Sequence, residues 1–225
     1  MTLPGVGLIL VAAGSGTRLS SGTPKALVDV GGEPLLDHAV RGVRAVPDVG
    51  PVVVVAPRGY VAEVAVRYAA DPRLVVVAGG AERTDSVAAG LAALDADCSI
   101  VLVHDAARCL TPPEVFERVI AAVRAGDAGV VPGLPVVDTV KSVDADELVT
   151  GTPDRCALRA IQTPQGFARE VLVAAYASGE VATDDAALVE ATGHHVRVVP
   201  GDQLAFKITT PADLEHAERL LAARS

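Results

Sequence analysis

Residues 8–25 read LILVAAGSGTRLSSGTPK, an apolar run that empties into a loop of glycines and hydroxyls with one arginine and one lysine. These residue types at this spacing suit the holding of an anion. Gly14 and Gly16 let the backbone approach closely and present N–H groups. Arg18 adds a planar fork of donors and Lys25 a compact point charge. Pro24 fixes its own φ and so stiffens the approach of Lys25. Two familiar phosphate loops are excluded. A dinucleotide turn needs a third glycine where this chain has Leu19, and an acidic residue closing a second strand, which is missing. A P-loop ends Gly-Lys-Ser/Thr, whereas Lys25 follows a proline. The bland alternative is a glycine-rich turn whose Arg18 and Lys25 are only solvated.

Other residues carry two readings each. Asp105 follows the apolar run 100–104, where a carboxylate either holds a metal or caps the next turn. Arg108, three residues on, could pair with it. Arg155 lies in a polar loop and by itself reads as solvated. Thr183-Asp184-Asp185 reads as a helix N-cap with acidic first-turn residues, and Glu82 and Asp85 also suit a helix start.

The elements that must position these residues alternate along the chain. Strands are predicted over Leu8–Ala13, Val52–Ala56, Leu74–Ala78, Ile100–His104, Gly129–Pro132 and Val196–Val199. Helices are predicted over Leu35–Val46, Tyr60–Ala70, Asp85–Leu94, Pro113–Ala125, Arg169–Ala177, Asp184–Ala191 and Pro211–Ala223. Near-continuous Val/Ile/Leu strands between helices argue for an α/β fold with an open, mostly parallel twisted sheet covered on both faces. In such sheets ligands bind at the carboxyl ends of strands. One region breaks the rhythm. Residues 134–158, LPVVDTVKSVDADELVTGTPDRCAL, hold two β-rich pieces around an acidic turn at Asp144–Glu147. They read as a hairpin arm inserted in a single domain spanning 1–225. Alone the arm would be marginal, and a second subunit is one candidate for what it lies against.

Bulk properties bound the function. The chain has 225 residues, half of them hydrophobic, no Trp and a formal charge of -9. That charge leaves no basic surplus for general nucleic-acid binding, so phosphates must be met by a few local cations. The run Gly5 to Ala13 is too short to cross a bilayer and lacks a basic leader, so cytoplasmic residence is expected. Cys98, Cys109 and Cys156 are odd in number and widely spaced, which argues against a disulfide framework or a zinc site. His194-His195 opens the predicted 196–199 strand and reads as one solvated and one packed ring.

The motifs also carry a resemblance. AAGSGTRL with PKAL is similar to the signature loop of nucleotidyltransferases. GGAERTDSV (79–87), VLVHDAAR (101–108), IQTPQGF (161–167), TDDAALVE (183–190) and FKITTPADL (206–214) follow in order. Together, over nearly the whole chain, they resemble the 2-C-methyl-D-erythritol 4-phosphate cytidylyltransferase family of the non-mevalonate isoprenoid route. The resemblance implies transfer of CMP from CTP to the alcohol phosphate, with release of pyrophosphate and with Mg²⁺. It implies that Ala12, Ala13, Gly14, Ser15, Gly16, Thr17 and Arg18 wrap the triphosphate. Arg18 and Lys25 would neutralise charge at the reacting phosphorus. Gly79, Gly80, Ala81 and Ser86 would border the cytosine, Asp105 would hold the metal, and Arg108, Thr139, Thr163, Arg155 and Lys207 would serve the second substrate. Thr139 and Arg155 would come from the partner's arm in a homodimer. The chain departs from the family pattern at Cys109 (usually proline), at Ala81 (acidic in some members) and at Ala205-Phe206 (often Asn-Ile). Asp202 is the nearest carboxylate to a second metal-ligand position of some members.

The implied chemistry accounts for the residue types. A phosphate nucleophile is already anionic and needs no general base. The obstacle is charge: at about 4 Å two unit charges repel by about 4 kcal/mol at moderate dielectric. Catalysis then consists of positioning and electrostatic stabilisation, which demands cations on both sides of the reacting centre. Two rivals remain at this point. One is a ribitol phosphate cytidylyltransferase, distinguished at the acceptor contacts. The other is a catalytically silent nucleotide-binding module, against which intact Arg18, Lys25 and Asp105 speak.

Overall fold

The computed structural model describes residues 5–14, 23–180 and 182–223. In chain order the first half comprises β1 (Gly5–Val11), β2 (Asp29–Val30), β3 (Glu33–Pro34), α1 (Leu35–Arg44), β4 (Val49–Ala56), α2 (Val61–Arg67), β5 (Leu74–Ala78), α3 (Arg83–Ala93) and β6 (Cys98–Asp105). The second half comprises α4 (Pro113–Arg124), β7 (Gly129–Pro135), β8 (Ser142–Val143), β9 (Val149–Gly151), β10 (Arg159–Ile161), β11 (Gln165–Ala168), α5 (Arg169–Ala177), α6 (Asp185–Ala191), β12 (Val196–Pro200) and α7 (Pro211–Ala222).

One eight-stranded sheet organises the chain, in the order β10-β7-β11-β6-β1-β4-β5, with β12 also paired to β7. The half β6-β1-β4-β5 is parallel throughout. The other half is mixed: β11 runs antiparallel between β6 and β7, β10 is antiparallel to β7, and β12 is parallel to it. The sheet is therefore less parallel than the strand runs imply. The physical reason is β11, whose sequence Gln-Gly-Phe-Ala lacks the Val/Ile signal of a buried strand. Gly166 is required there: a Cβ would sit 2.4 Å from Cγ1 of Val119 on α4.

Both faces of the sheet are covered, as alternation within β1 dictates. Leu8 and Leu10 join Leu36, Phe116, Ile120 and Ala217 on one face. Ile9 joins Val53, Val101, Phe167, Leu172 and Leu188 on the other. The ends of the helices have local causes. Pro113 occupies the first turn of α4, where its missing N–H costs nothing. Thr210 and Asp213 form a reciprocal capping box on α7, and Glu82 and Asp85 do the same on α3.

The 134–158 region contains the short antiparallel pair β8-β9, closed by a turn in which Glu147 has φ 62° and Asp144 Oδ1 accepts from the backbone of Asp146 and Leu148. Val137, Val143, Leu148 and Val149 of this arm are exposed. His194 and His195 correct the sequence reading: both are exposed, in the connection that leads from α6 into β12. Cys98 and Cys109 are buried free thiols and Cys156 is an exposed one. Among the described residues no helix is long and apolar enough to cross a membrane.

Candidate functional site

β1, β5 and β6 run parallel, so their carboxyl ends open on one edge of the sheet. There the chain encloses a cavity of about 400 Å³, within the range of small-ligand sites. Ala12, Ala13 and Gly14 line it after β1, and Gly80, Ala81, Glu82, Arg83 and Ser86 after β5. Asp105, Ala106 and Ala107 enter at the end of β6, Lys25 from the turn after Pro24, and Lys207 and Thr209 from the segment before α7. Lys25, Arg83 and Lys207 thus line the same cavity as one buried carboxylate, Asp105, in a molecule of net charge -9.

The turn after β5 is held by its own side chains. The Gly79 N–H donates to Ala56 O, and its carbonyl accepts from Arg58 Nε at 3.0 Å. The Gly80 N–H donates to Ser86 Oγ at 3.1 Å, and the Ser86 hydroxyl donates to Glu82 O. With these groups engaged, a base entering here would meet the carbonyl of Gly80 and the backbone of Ala81. Gly79 must be glycine: a Cβ would lie 2.4 Å from that of Ala13, which follows β1.

Asp105 is the electrostatic centre. Lys207 Nζ donates to its Oδ2 at 2.7 Å, and Arg83 Nε lies 3.7 Å from its Oδ1. Burial alone would raise its pKa, but the Lys207 and Arg83 charges and the Lys207 hydrogen bond outweigh that and hold it at about 2. The carboxylate is therefore ionised at neutral pH. Behind it, Thr163 is buried; its hydroxyl accepts from the Asp105 N–H at 3.0 Å and lies 2.9 Å from Nδ1 of His104. The hydroxyl and Nδ1 share one hydrogen bond, whose direction is set by the tautomer of the ring. Burial pushes His104 down to about 4.

The other expected residues divide. Ala12, Ala13, Gly14, Lys25, Gly80, Ala81, Ser86, Asp105 and Lys207 line the cavity, with Gly79 immediately beneath it. Ser15, Gly16, Thr17 and Arg18 lie outside the described residues. Arg108 does not pair with Asp105; Nη1 donates to Ala205 O at 2.8 Å and Nη2 to Ile161 O, leaving a buried Nε without a partner. Thr139 and Arg155 are exposed on the arm, where Arg155 Nη1 donates to Val137 O. They do not line this chain's cavity. Asp202 is turned away into the cap of a short helical turn, accepting from Leu204 N–H. Asp184 caps α6 by accepting from Ala187 N–H, as its sequence position implies. Arg83 is the residue sequence reasoning missed. Its only signal was a charge three residues beyond the Gly79-Gly80 pair that follows β5.

An anion-holding cavity at the carboxyl edge of such a sheet is what an α/β nucleotidyltransferase requires. The comparisons narrow the class. The profile of 2-C-methyl-D-erythritol 4-phosphate cytidylyltransferase matches residues 6–223. The chain is 55% identical over 217 residues to that cytidylyltransferase from Nocardia farcinica, covering 96% of this chain and 94% of the relative. It is 55% identical to a bifunctional enzyme of Clavibacter michiganensis, of which it spans 55%. Among solved structures, 4-diphosphocytidyl-2C-methyl-D-erythritol synthase from Anaerococcus prevotii superposes with a TM-score of 0.87 at 31% identity, covering 97% of this chain and 96% of that one. The Thermus thermophilus cytidylyltransferase gives 0.77 at 36%, with both chains fully covered. The chain belongs to the 2-C-methyl-D-erythritol 4-phosphate cytidylyltransferase family.

Proposed function

We propose that this protein transfers CMP from CTP to 2-C-methyl-D-erythritol 4-phosphate and releases pyrophosphate, and that the cavity at the ends of β1, β5 and β6 is where the two anions meet. The observation that carries this reading is a cavity lined by Lys25, Arg83 and Lys207 together with one buried, ionised carboxylate, Asp105, which Lys207 bonds and Arg83 faces. In this reading the backbone around Gly80 and Ala81 borders the cytosine, and Ala12 to Arg18 wraps the triphosphate. The acceptor phosphate attacks the α-phosphorus as an anion already formed, so no side chain removes a proton. Lys25 and Arg18 stabilise negative charge as it accumulates on the oxygens of that phosphorus, and Lys207 draws the acceptor phosphate toward it.

Asp105 fits a divalent cation. Magnesium is commonly held by one or two carboxylates with substrate phosphates filling further positions, and Asp105 presents one ionised carboxylate to the cavity. No group of three or more His, Cys, Asp or Glu side chains among the described residues forms a closed site. The remaining ligands would then come from the nucleotide and water. When bound there, Mg²⁺ would neutralise phosphate charge as a Lewis acid.

The arm supplies the remaining acceptor contacts in this reading. Arg155 and Thr139 are exposed beside the exposed apolar side chains Val137, Leu148 and Val149, which suits a homodimer in which each arm serves the other protomer. Arg108, its guanidinium held by Ala205 O and Ile161 O, would also serve the acceptor in this reading.

The test is pyrophosphate release with CTP, UTP and ATP against methylerythritol phosphate and ribitol phosphate. Turnover is expected with CTP and methylerythritol phosphate. Preference for ribitol phosphate would overturn the acceptor, and no turnover on either acceptor would overturn the enzyme. Arg18→Ala is expected to cut turnover by about two to three orders of magnitude with the fold intact.

A further inference from the structure

The TDDAALVE segment holds a charge that its helix cap does not need. Asp184 already caps α6, yet the next residue, Asp185, is a carboxylate with 0% exposure. A buried carboxylate must be paired or it unfolds what buries it. Asp185 Oδ2 accepts from Arg83 Nη2 at 2.7 Å and Oδ1 from the Tyr176 hydroxyl at 2.5 Å. Arg83 is the first residue of α3, whose start is fixed by the Glu82–Asp85 capping box. From there its Nε faces Oδ1 of Asp105, while Lys207 bonds Oδ2.

We propose that Arg83 is a positioning residue of the reaction centre: Asp185 and Tyr176 aim its guanidinium so that it restrains the Asp105 oxygen that Lys207 does not bond. The inference rests on the reading that Asp105 serves the reaction. Each oxygen of Asp105 faces a cation from a different, sequence-distant segment, so the carboxylate cannot turn without losing one of them. Only a fork can do this task. Arg83 uses Nη2 for Asp185 and presents Nε to Asp105, whereas a single ammonium could not reach in both directions. The alternative is that the Arg83–Asp185 pair merely staples α3 to α6.

The experiment compares kcat, KM for both substrates and the calorimetric Kd of CTP in the full chain. The variants are Asp185→Asn, Tyr176→Phe, Arg83→Lys, Arg83→Gln and the double variant Arg83→Gln/Asp185→Asn, each checked by thermal melting. Asp185→Asn is expected to lower kcat by about 30-fold while the Kd of CTP moves by less than about threefold, because misplacing a reacting group costs rate rather than binding. Tyr176→Phe should lose about three- to fivefold, Arg83→Lys should not rescue, and the double variant should match Arg83→Gln within about twofold. Three results would each overturn the proposal: kcat of Asp185→Asn within about twofold of wild type, losses that multiply in the double variant, or a weakened CTP Kd with kcat preserved. Should Asp185→Asn fail to fold, Tyr176→Phe and Arg83→Lys decide by the same criteria. Wild-type turnover is measured first. Its absence removes the reading of the reaction and this inference with it, whereas a failed cycle in an active enzyme removes only the role of Arg83.

Discussion

Lys207 Nζ and Asp105 Oδ2 lie 2.7 Å apart, joining the segment before α7 to the end of β6 across 102 residues of sequence. The pair is half in water: the Lys207 side chain is 43% exposed and that of Asp105 11%. Removing the lysine leaves a nearly buried carboxylate with Arg83 as its remaining ion-pair partner.

Lys207→Ala should therefore lower kcat by about two to three orders of magnitude, the range seen when one fixed donor is lost from a centre of developing charge. Stability should fall by only about 1–2 kcal/mol, because the exposed lysine is partly screened by solvent. Steady-state kinetics and urea midpoints separate the two effects. A variant that loses stability and keeps its rate would leave Lys207 as a structural partner alone.

Gly79→Ala should act on nucleotide binding. The added methyl would press on Ala13 at 2.4 Å and on Ser86 Oγ at 3.0 Å, forcing apart the two turns that border the cavity. KM for CTP is expected to rise about tenfold or more with a smaller change in kcat, since the interaction lost is binding common to ground and transition states. Equal KM values would mean that cytidine does not lie between these turns.

The parallel half of the sheet was legible because strands buried on both faces read as Val/Ile/Leu runs, and Leu74–Ala78 and Arg169–Ala177 have the ends their patterns imply. β11 was not legible. Pro164, Gln165 and Gly166 look like a loop, and only the approach of Val119 from α4 explains the glycine. Gly14 and Lys25, which line the cavity, stood out in the sequence through glycine spacing and charge. Arg83 did not, because its meaning lies in Asp185, 102 positions away. Thr163 stood out by motif, yet its hydroxyl is spent on His104 and the Asp105 N–H behind the cavity.

Acid should weaken the fold through His104. Its pKa falls from 6.5 to about 4 because burial disfavours the imidazolium, with Asp105 opposing and Arg108 adding to the shift. The unfolded chain takes up this proton first, so the contribution is complete above pH 6.5 and is lost as pH falls to 4. The loss amounts to about 3 kcal/mol by linkage. Asp105 adds a loss of the same sign lower down, between 3.8 and about 2. Urea midpoints from pH 7 to 4.5 should fall in wild type and fall less in His104→Asn, whose amide can still hydrogen-bond Thr163. Parallel slopes would place the sensitivity elsewhere.

Arg155 offers a test of the arm by complementation between two variants. If each arm completes the partner's site, Arg155→Ala damages the neighbour's site, while Lys25→Ala damages its own. Each homodimer then has two broken sites. In a mixed dimer the Arg155→Ala chain keeps its own Lys25 and receives an intact Arg155, so one site of two is whole. Random reassortment of equal amounts should restore about a quarter of wild-type turnover, from half the dimers and half their sites. An arm that serves its own chain gives no such recovery, because every chain in the mixture then carries one broken site. Mixing after mild dissociation and assaying pyrophosphate release separates the two outcomes, and recovery that grows with mixing time identifies subunit exchange as its cause.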